Sequence, residues 1–312
     1  MATSPRGGLA QRLRDVGLIA RFELLESVRT RRVLVLVLLF LLGGGFSAWG
    51  FASFLGNAEA AAAHALNAPS TNRPGASLSA LEHTSIYRDL VKSLVDDPQA
   101  AAALAAIPPI VLVFAWLTMT FAPALVLLTS SDAVSAEIET RSLRYTLLRT
   151  GRVEYAAGKL AGLLALLAAV LLLSGITFLT VSAISLSGLS LGDSALAMLR
   201  LWPWIFADTL PYVGLALGAS MLASSGRGGW ALSIGGVVLL SLAHVAAQWP
   251  TLRHGGIAPA LLDLLDYTTP FPRRYGLIAP VGPTFFHALA VTLGTFAAYT
   301  GLGLWRFRRR DL

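Results

Sequence analysis

The sequence predicts an all-α integral membrane protein with about six transmembrane helices. Three observations support this class: a low charge content, six long apolar runs, and an uneven distribution of basic residues. Charged residues make up 13% of the 312 residues, against about 25% in soluble domains. Hydrophobic residues make up 55%, and the mean hydropathy is +0.67. The chain has no cysteine, which excludes disulfides and thiolate chemistry.

Residues 1–32 are predicted to form an amphipathic helix on the cytoplasmic surface of the membrane. Seven arginines lie in this segment. Apolar residues recur between them at helical spacing, at Leu9, Leu13, Val16, Ala20, Leu24 and Val28. A helix with one basic and one apolar face lies in the plane of the membrane interface. A cleaved signal peptide is the competing interpretation, but its apolar core would begin late and run long.

Residues 33–305 are predicted to form the transmembrane domain, because they contain six long apolar segments. A helix needs roughly 20 residues to cross a bilayer, and each segment is close to that length or longer. These segments are residues 33–55, 107–130, 160–186, 201–223, 230–249 and 284–305. The fourth segment is the weakest, because Asp208 and Pro211 lie near its predicted start.

Two long outer loops are predicted between the spans, over residues 56–106 and 250–283. The first is expected to contain two short helices joined by a loop. The second is rich in proline, which excludes one continuous helix. Its apolar stretch at 257–265 is too short for a span and is predicted to be a surface or re-entrant helix.

The basic residues determine the predicted orientation. With the N-terminus inside, the inner segments hold 17 of the 24 Lys and Arg residues, and these segments are residues 1–32, 131–159, 224–229 and the basic tail 306–312. Such an excess on the inner side follows the positive-inside rule. Both termini are therefore expected in the cytoplasm. Because topology accounts for the excess of basic residues, we expect the lipid bilayer and no nucleic acid as a partner.

The inner loop over residues 131–159 is the most informative candidate site. Apolar residues lie four apart in it, at Val134 and Ile138 and again at Leu143 and Leu147. Glu137 is placed to pair with Arg141 along one helix. The pattern predicts a short amphipathic helix at the membrane surface, which we interpret as a docking surface for a cytoplasmic partner. The alternative is a loop that only anchors the topology through its basic residues.

In this loop the chain resembles the ABC-2 type permeases. These proteins have an acidic helical stretch after the second span, then Gly-Ser/Thr-Leu, a Leu pair, a Gly-Arg or Ser-Arg, and a Gly-Lys that opens the third span. The matching residues are Asp132, Glu137, Glu139, Ser142, Leu143, Leu147, Leu148, Arg152, Gly158 and Lys159. The family's usual Gly before Ser/Thr-Leu is Arg141 here, and its usual Pro before the Arg is absent. The overall layout is also similar to the copper-enzyme maturation permease branch.

The resemblance implies an ABC-2 type permease fold in a bacterial inner membrane. It implies a dimer with a second copy or a homologous permease, and a cytoplasmic ABC ATPase that docks on the inner loop. The coupling residues would be Asp132, Glu137, Glu139, Arg141, Leu143, Arg144, Leu147 and Arg152. A periplasmic or outer-face accessory protein is a further candidate partner.

No cofactor site is expected in this chain, and ATP with magnesium would bind the partner ATPase. A phosphate-binding loop needs four residues between its glycines and then Lys-Ser/Thr. Six residues separate Gly151 from Gly158, and Leu160 follows the lysine. The sequence also shows no pattern of metal ligands or catalytic groups, so we predict that the chain is not an enzyme.

Polar side chains within spans are candidates for a translocation path. Asp208 is the best of them, with Thr118 and His244 behind it. The alternative for Asp208 is that it caps the start of its helix at the outer surface, beside Pro211. The histidines fit packed or interfacial positions better than ligand positions.

The sequence therefore predicts a permease subunit of an ABC transporter, either an exporter or a system that acts on the cell envelope. An ion-coupled secondary transporter and a membrane assembly scaffold are the alternatives. A secondary transporter usually has broken helices and several buried ionisable groups near mid-membrane.

Overall fold

A computed structural model of the chain describes residues 8–29, 31–65, 74–78, 84–94, 98–248, 276–278 and 282–311. Within these ranges the structure is helical and contains no strand. The helices are α1 (Leu9–Arg29), α2 (Arg32–Ala65), α3 (Ser85–Leu94), α4 (Pro98–Ala105), α5 (Pro109–Ser130), α6 (Ser135–Glu139), α7 (Leu143–Leu147), α8 (Arg152–Ser185), α9 (Leu191–Leu222), α10 (Gly226–Gln248) and α11 (Pro283–Arg309).

Six of these helices are long and apolar enough to cross a membrane, namely α2, α5, α8, α9, α10 and α11. This confirms the predicted all-α fold with six spans. The N-terminal amphipathic segment is helical as α1, and six large apolar side chains on it are exposed, at Leu9, Leu13, Leu18, Phe22, Leu25 and Val28. An exposed apolar face on a basic helix is suited to the membrane interface.

Several helices extend beyond the predicted spans. Helix α2 continues to Ala65, so the predicted outer loop 56–106 begins inside it. The reason is the alanine-rich stretch, since alanine is the strongest helix former and no proline precedes it in the helix. Two short helices, α3 and α4, lie in the remainder of that loop. The helix expected at 257–265 lies outside the described residues.

Two inner segments are also more helical than predicted. Helix α8 begins at Arg152, after the extended residue Gly151, so the last part of the predicted loop 131–159 belongs to a span. Helix α11 continues through Arg309 and takes in most of the basic tail 306–312. In both places no Pro or Gly interrupts the helix at the predicted boundary.

The fourth span, α9, lies at the centre of the bundle. In its most apolar stretch 78% of the residues are buried, against 17–56% in the other five spans. It packs against α5, α8, α10 and α11. Asp208, Thr209 and Ser220 are among its buried residues, with at most 1% of each exposed. Its polar residues therefore face protein, which is where a membrane protein places them.

Glycines bring α9 and α11 into close contact. Gly303 of α11 lies against the backbone of Gly218, and Gly218 lies against the carbonyl of Tyr299. A Cβ atom at Gly218 or Gly303 would collide with backbone of the facing helix. Small residues at such crossings let two helices in a membrane approach closely and gain van der Waals contact.

We predict that Gly218→Leu separates α9 from α11 and destabilises the fold by about 1–3 kcal/mol, the usual cost of overpacking a core. The measurement is the melting temperature of the purified protein in detergent. Gly301→Leu is the matched control, because a Cβ atom at Gly301 of α11 would meet open space. Equal melting temperatures for the two variants would contradict the close crossing.

Candidate coupling site at the basic end of the bundle

The ends of several helices meet at one end of the bundle. We call this the basic end; it contains α1, residues 131–151, the turn between α9 and α10, and the end of α11. Residues 131–151, which connect α5 to α8, are called the connecting segment. They contain α6 and α7 in place of the single amphipathic helix that the sequence predicted.

The connecting segment changes direction at Arg141, whose φ is 59°. This is the left-handed region, which costs roughly 1–2 kcal/mol for a residue with a Cβ atom. The change of direction ends α6 before Arg141, so the predicted pairing of Glu137 with Arg141 along one helix was wrong. Glu137 instead forms an ion pair with Lys159.

Lys159 is the centre of the basic end. Its ammonium binds the carboxylate of Glu137 at 2.5 Å and also the carboxylate of Glu23. The three side chains come from α8, α6 and α1, and the lysine side chain is only 6% exposed. Burial raises the pKa of Glu23 above its ordinary value, and the Lys159 ammonium opposes part of that rise. The lysine therefore joins three elements within a buried site.

Helix α1 reaches this lysine because α8 has glycines where the two helices cross. Gly158 lies against Ile19, and Gly162 lies against the stem of Glu23 and the carbonyl of Ala20. A Cβ atom at either glycine would push α1 away. Gly158 therefore lets α1 approach α8 closely, and the adjacent Lys159 supplies the positive charge that holds α1 there.

Two further contacts attach the connecting segment to other spans. The hydroxyl of Ser220 in α9 accepts hydrogen bonds from the backbone amides of Val134 and Ser135, each at 2.9 Å. The carboxylate of Glu139 accepts a hydrogen bond from the amide of Gly226 at 2.8 Å. Gly226 begins α10, and a carboxylate there satisfies an otherwise unpaired amide and complements the helix dipole.

The end of α11 is fixed by arginines. Arg152 of α8 donates to the carbonyl oxygens of Phe307, Arg308 and Arg310 at 3.0, 2.8 and 2.7 Å. Arg310 in turn donates to the carbonyl oxygen of Ala223 at the end of α9, at 2.5 Å. The last carbonyls of a helix lack partners within it, so these arginines cap two spans at once.

The predicted coupling residues divide into internal and exposed groups. Glu137, Glu139 and Arg152 make the contacts described above. Leu143 is 1% exposed and packs in a cluster with Tyr155 and Phe307, and Leu147 packs against that cluster. Asp132 is half-buried, while Arg141 and Arg144 are exposed.

Sequence reasoning missed the exposed apolar residues of α7 as candidate coupling residues. Tyr145 is 77% exposed and Leu148 is 83% exposed. Arg141, Arg144 and Arg149 lie beside them in sequence and are exposed. The signal was present, because residues at i and i+3 share a helix face, and Tyr145 and Leu148 fall opposite the buried pair of leucines.

The predicted pathway residues lie on three different helices. Asp208 is buried in the middle of α9, so it does not cap a helix start at the outer surface, because α9 begins at Leu191. Thr118 is buried in α5 and lines a cavity of about 390 Å³ between α2, α5 and α8. His244 is half-buried in α10. Neither Asp208 nor His244 lines that cavity. A pathway role for all three stays a prediction.

A second, larger cavity of about 720 Å³ opens at the basic end. Its wall includes Lys159, Glu23 and Glu137, and it also includes Glu26 and Asp132. The remaining wall is largely apolar and is formed by residues of α2, α5 and α8, namely Val35, Leu36, Leu39, Leu125, Leu128, Leu163 and Leu166.

Six spans together with a connecting segment packed onto their ends define a multi-pass membrane protein. The chain matches the family model described as "ABC-2 family transporter protein" over residues 18–312. It therefore belongs to the ABC-2 transporter family, and it is a membrane permease subunit of an ABC transporter. No curated protein matches the chain in sequence. The match is to the family as a whole, so the resemblance to the copper-enzyme maturation branch stays a prediction.

We predict that Lys159→Met destabilises the protein strongly, by about 3–5 kcal/mol, because removing one partner leaves buried carboxylates without their counter-charge. The measurement is the melting temperature in detergent. Lys92→Met is the matched control, since Lys92 pairs with Asp89 at 3.5 Å on the surface with both side chains about two-thirds exposed. Its effect should stay within about 1 kcal/mol. Equal effects of the two substitutions would contradict the role of Lys159.

We predict that the φ of Arg141 decides which residues its position tolerates. Arg141→Gly should keep or raise the melting temperature, because glycine adopts positive φ freely. Arg141→Val should lower stability by about 1–2 kcal/mol, since a Cβ atom, and above all a branched one, disfavours that region. The same two substitutions at Arg144, which lies within α7, provide the comparison: there valine should be tolerated better than glycine.

Proposed function

We propose that this permease subunit works with a separate cytoplasmic ABC ATPase that binds the exposed face of the connecting segment. The observation that carries the proposal is the two-sided character of that segment. One side makes buried contacts to the ends of the spans, through Glu137, Leu143 and Ser135. The other side presents Tyr145 and Leu148 to solvent.

The exposed side has the composition of a protein-binding surface. Aromatic side chains and arginine are enriched at the centres of protein interfaces, and here Leu148 adds apolar area beside Tyr145. Leu143 and Leu147 pack onto the ends of the spans, so the opposite face of the segment, with Tyr145 and Leu148, is directed away from the bundle. A soluble partner that covers Tyr145 and Leu148 is therefore the more favourable arrangement.

The distribution of charge supports a cytoplasmic position for the basic end. Of the 24 basic residues, 17 belong to the predicted inner segments, and the described parts of these segments lie at this end of the bundle. The positive-inside rule places such segments in the cytoplasm, where ATP is available to a partner. Both termini would then be cytoplasmic, and the membrane would be a bacterial inner membrane.

The contacts provide a route by which motion of the ATPase reaches the spans. A displacement of α7 acts on Leu143, which packs against Tyr155 of α8 and Phe307 of α11. A displacement of α6 acts on α1 and α8 through Glu137 and Lys159. The change between two packings of helices is the usual form of such a transition.

The assembly we propose is a dimer of this chain with itself or with a homologous permease, together with the ATPase. The family resemblance favours two activities for the assembly: export of a substrate, or action on a component of the cell envelope. Asp208, Thr118 and His244 remain the candidate polar residues of the path.

The test is co-expression of the permease with candidate ABC ATPases from the same genome, followed by co-purification. Tyr145→Ala combined with Leu148→Glu should reduce recovery of the ATPase at least about tenfold, the change expected for roughly 1.4 kcal/mol of lost binding energy. Tyr145→Phe combined with Leu148→Met is the control and should retain the ATPase, because it preserves apolar area. Melting temperatures of both variants should equal that of the wild type, since both side chains are exposed.

Full recovery of the ATPase with the Tyr145→Ala, Leu148→Glu variant would overturn docking at this surface. Substitutions at Glu137 or Glu139 are a poorer test, because both carboxylates make contacts within the permease. Loss of the ATPase from such variants would not separate docking from destabilisation.

A further inference from the structure

Two adjacent cavities lie along α2 and α5, and together we call them the groove. Leu39 and Leu125 belong to the walls of both, so the larger cavity at the basic end adjoins the smaller one farther along the two helices. Both volumes, about 720 and 390 Å³, are of the order of those that hold small molecules in proteins, about 300–1,000 Å³.

The mouth of the groove carries an excess of negative charge. Four carboxylates line it against two basic side chains, and these residues are Glu23, Glu26, Asp132, Glu137, Lys159 and Arg31. This excess is unexpected at the end of the bundle where basic residues predominate. An acidic mouth in such surroundings favours a positively charged ligand group.

The inner part of the groove is apolar. Phe40, Phe46, Phe114, Phe121 and Phe178 contribute to its wall, and the few polar side chains are Ser47, Thr118 and Ser174. Apolar walls of this kind suit a hydrocarbon chain, which contacts them by van der Waals packing within the membrane. The groove therefore presents a charged region and an apolar region in sequence along one path.

A divalent metal ion is a poorer fit to the mouth. Oxygen atoms of Glu23, Glu26 and Glu137 lie within 4.8 Å of one another. Two of these carboxylates already bind the ammonium of Lys159, however, and that buried cation occupies the space between them. A metal ion would be placed next to a fixed positive charge, which disfavours its binding.

We propose that the groove binds a single-chain cationic amphiphile, with its cationic head at the acidic mouth and its hydrocarbon chain against Leu39, Leu125 and the inner phenylalanines. In the orientation proposed above, the mouth faces the cytoplasmic leaflet. If the proposed transport function holds, this class of molecule is the transported substrate, and only that consequence of the inference rests on the proposed function. Binding itself is a property of the permease alone.

The test uses the full-length permease, without ATPase, in nanodiscs of neutral phosphatidylcholine. Equilibrium binding is measured with radiolabelled dodecyltrimethylammonium and with dodecanesulfonate, which has the same chain length and the opposite charge. Empty nanodiscs provide the correction for partition into lipid. Saturable binding of the ammonium, at least about tenfold tighter than that of the sulfonate, is the expected result.

A charge series at Glu26 tests the mouth, because this exposed residue lies outside the ion pairs of Lys159. Glu26→Gln should weaken binding of the ammonium several-fold, and Glu26→Lys should weaken it further while strengthening that of the sulfonate. Asp15→Lys is the matched control on α1, because Asp15 does not line the groove; it should leave both affinities unchanged.

A filling substitution tests the apolar part. Leu39→Trp should abolish saturable binding of the ammonium, because the indole occupies the junction of the two cavities. Leu38→Trp is the control, since Leu38 is 54% exposed on α2 and lies outside both walls; it should bind as the wild type does.

Equal affinities for the two probes, or unchanged binding in Glu26→Lys or Leu39→Trp, would overturn the proposal. Displacement of the ammonium by calcium alone would point to a simple ion site and would also overturn it. If binding is found but the ATPase does not dock, the groove stands as a ligand site and the proposed function fails. If docking holds and binding fails, only the groove proposal falls.

Discussion

A buried lysine determines how the basic end of the molecule is assembled. The ammonium of Lys159 binds Glu23 and Glu137, which come from two other elements. A buried charge must keep its partners, because losing one costs several kcal/mol. The same pairing therefore fixes α1 and α6 against α8 together. Gly158 and Gly162 make the arrangement possible, since they let α1 approach closely enough for its carboxylate to reach the lysine.

The rest of the connecting segment depends on that attachment. The segment donates hydrogen bonds to Ser220 of α9, accepts one from the start of α10 through Glu139, and packs Leu143 in a cluster with Phe307 of α11, so one short segment contacts the ends of several spans. The exposed face of α7 then has a rigid support. The same lysine also contributes to the mouth of the groove, where two of the four carboxylates hold it. Anchoring and proposed ligand binding thus share one set of charges, and the proposed docking surface depends on the same anchoring.

The sequence predicted the number of spans well, because the bilayer requires long apolar helices whatever their packing. It could not predict that α9 lies at the centre. Hydropathy measures the preference of a segment for lipid, and a helix surrounded by other helices does not need that preference. The span with Asp208 and Pro211 looked weakest for this reason. The pairing of Glu137 with Lys159 also escaped prediction, because the lysine is distant in sequence. The positive φ of Arg141 escaped it because arginine has no preference for that region.

The most direct test of the central claim is hydrogen exchange, measured by mass spectrometry on the wild type and on Lys159→Met in nanodiscs. Loss of the shared partner should speed exchange of backbone amides in both α1 and α6, as expected when local opening becomes easier. Amides in α3 and α4, which lie away from the basic end, should be unchanged. Unaltered exchange in α1 and α6 would contradict the claim that Lys159 holds these elements to the bundle.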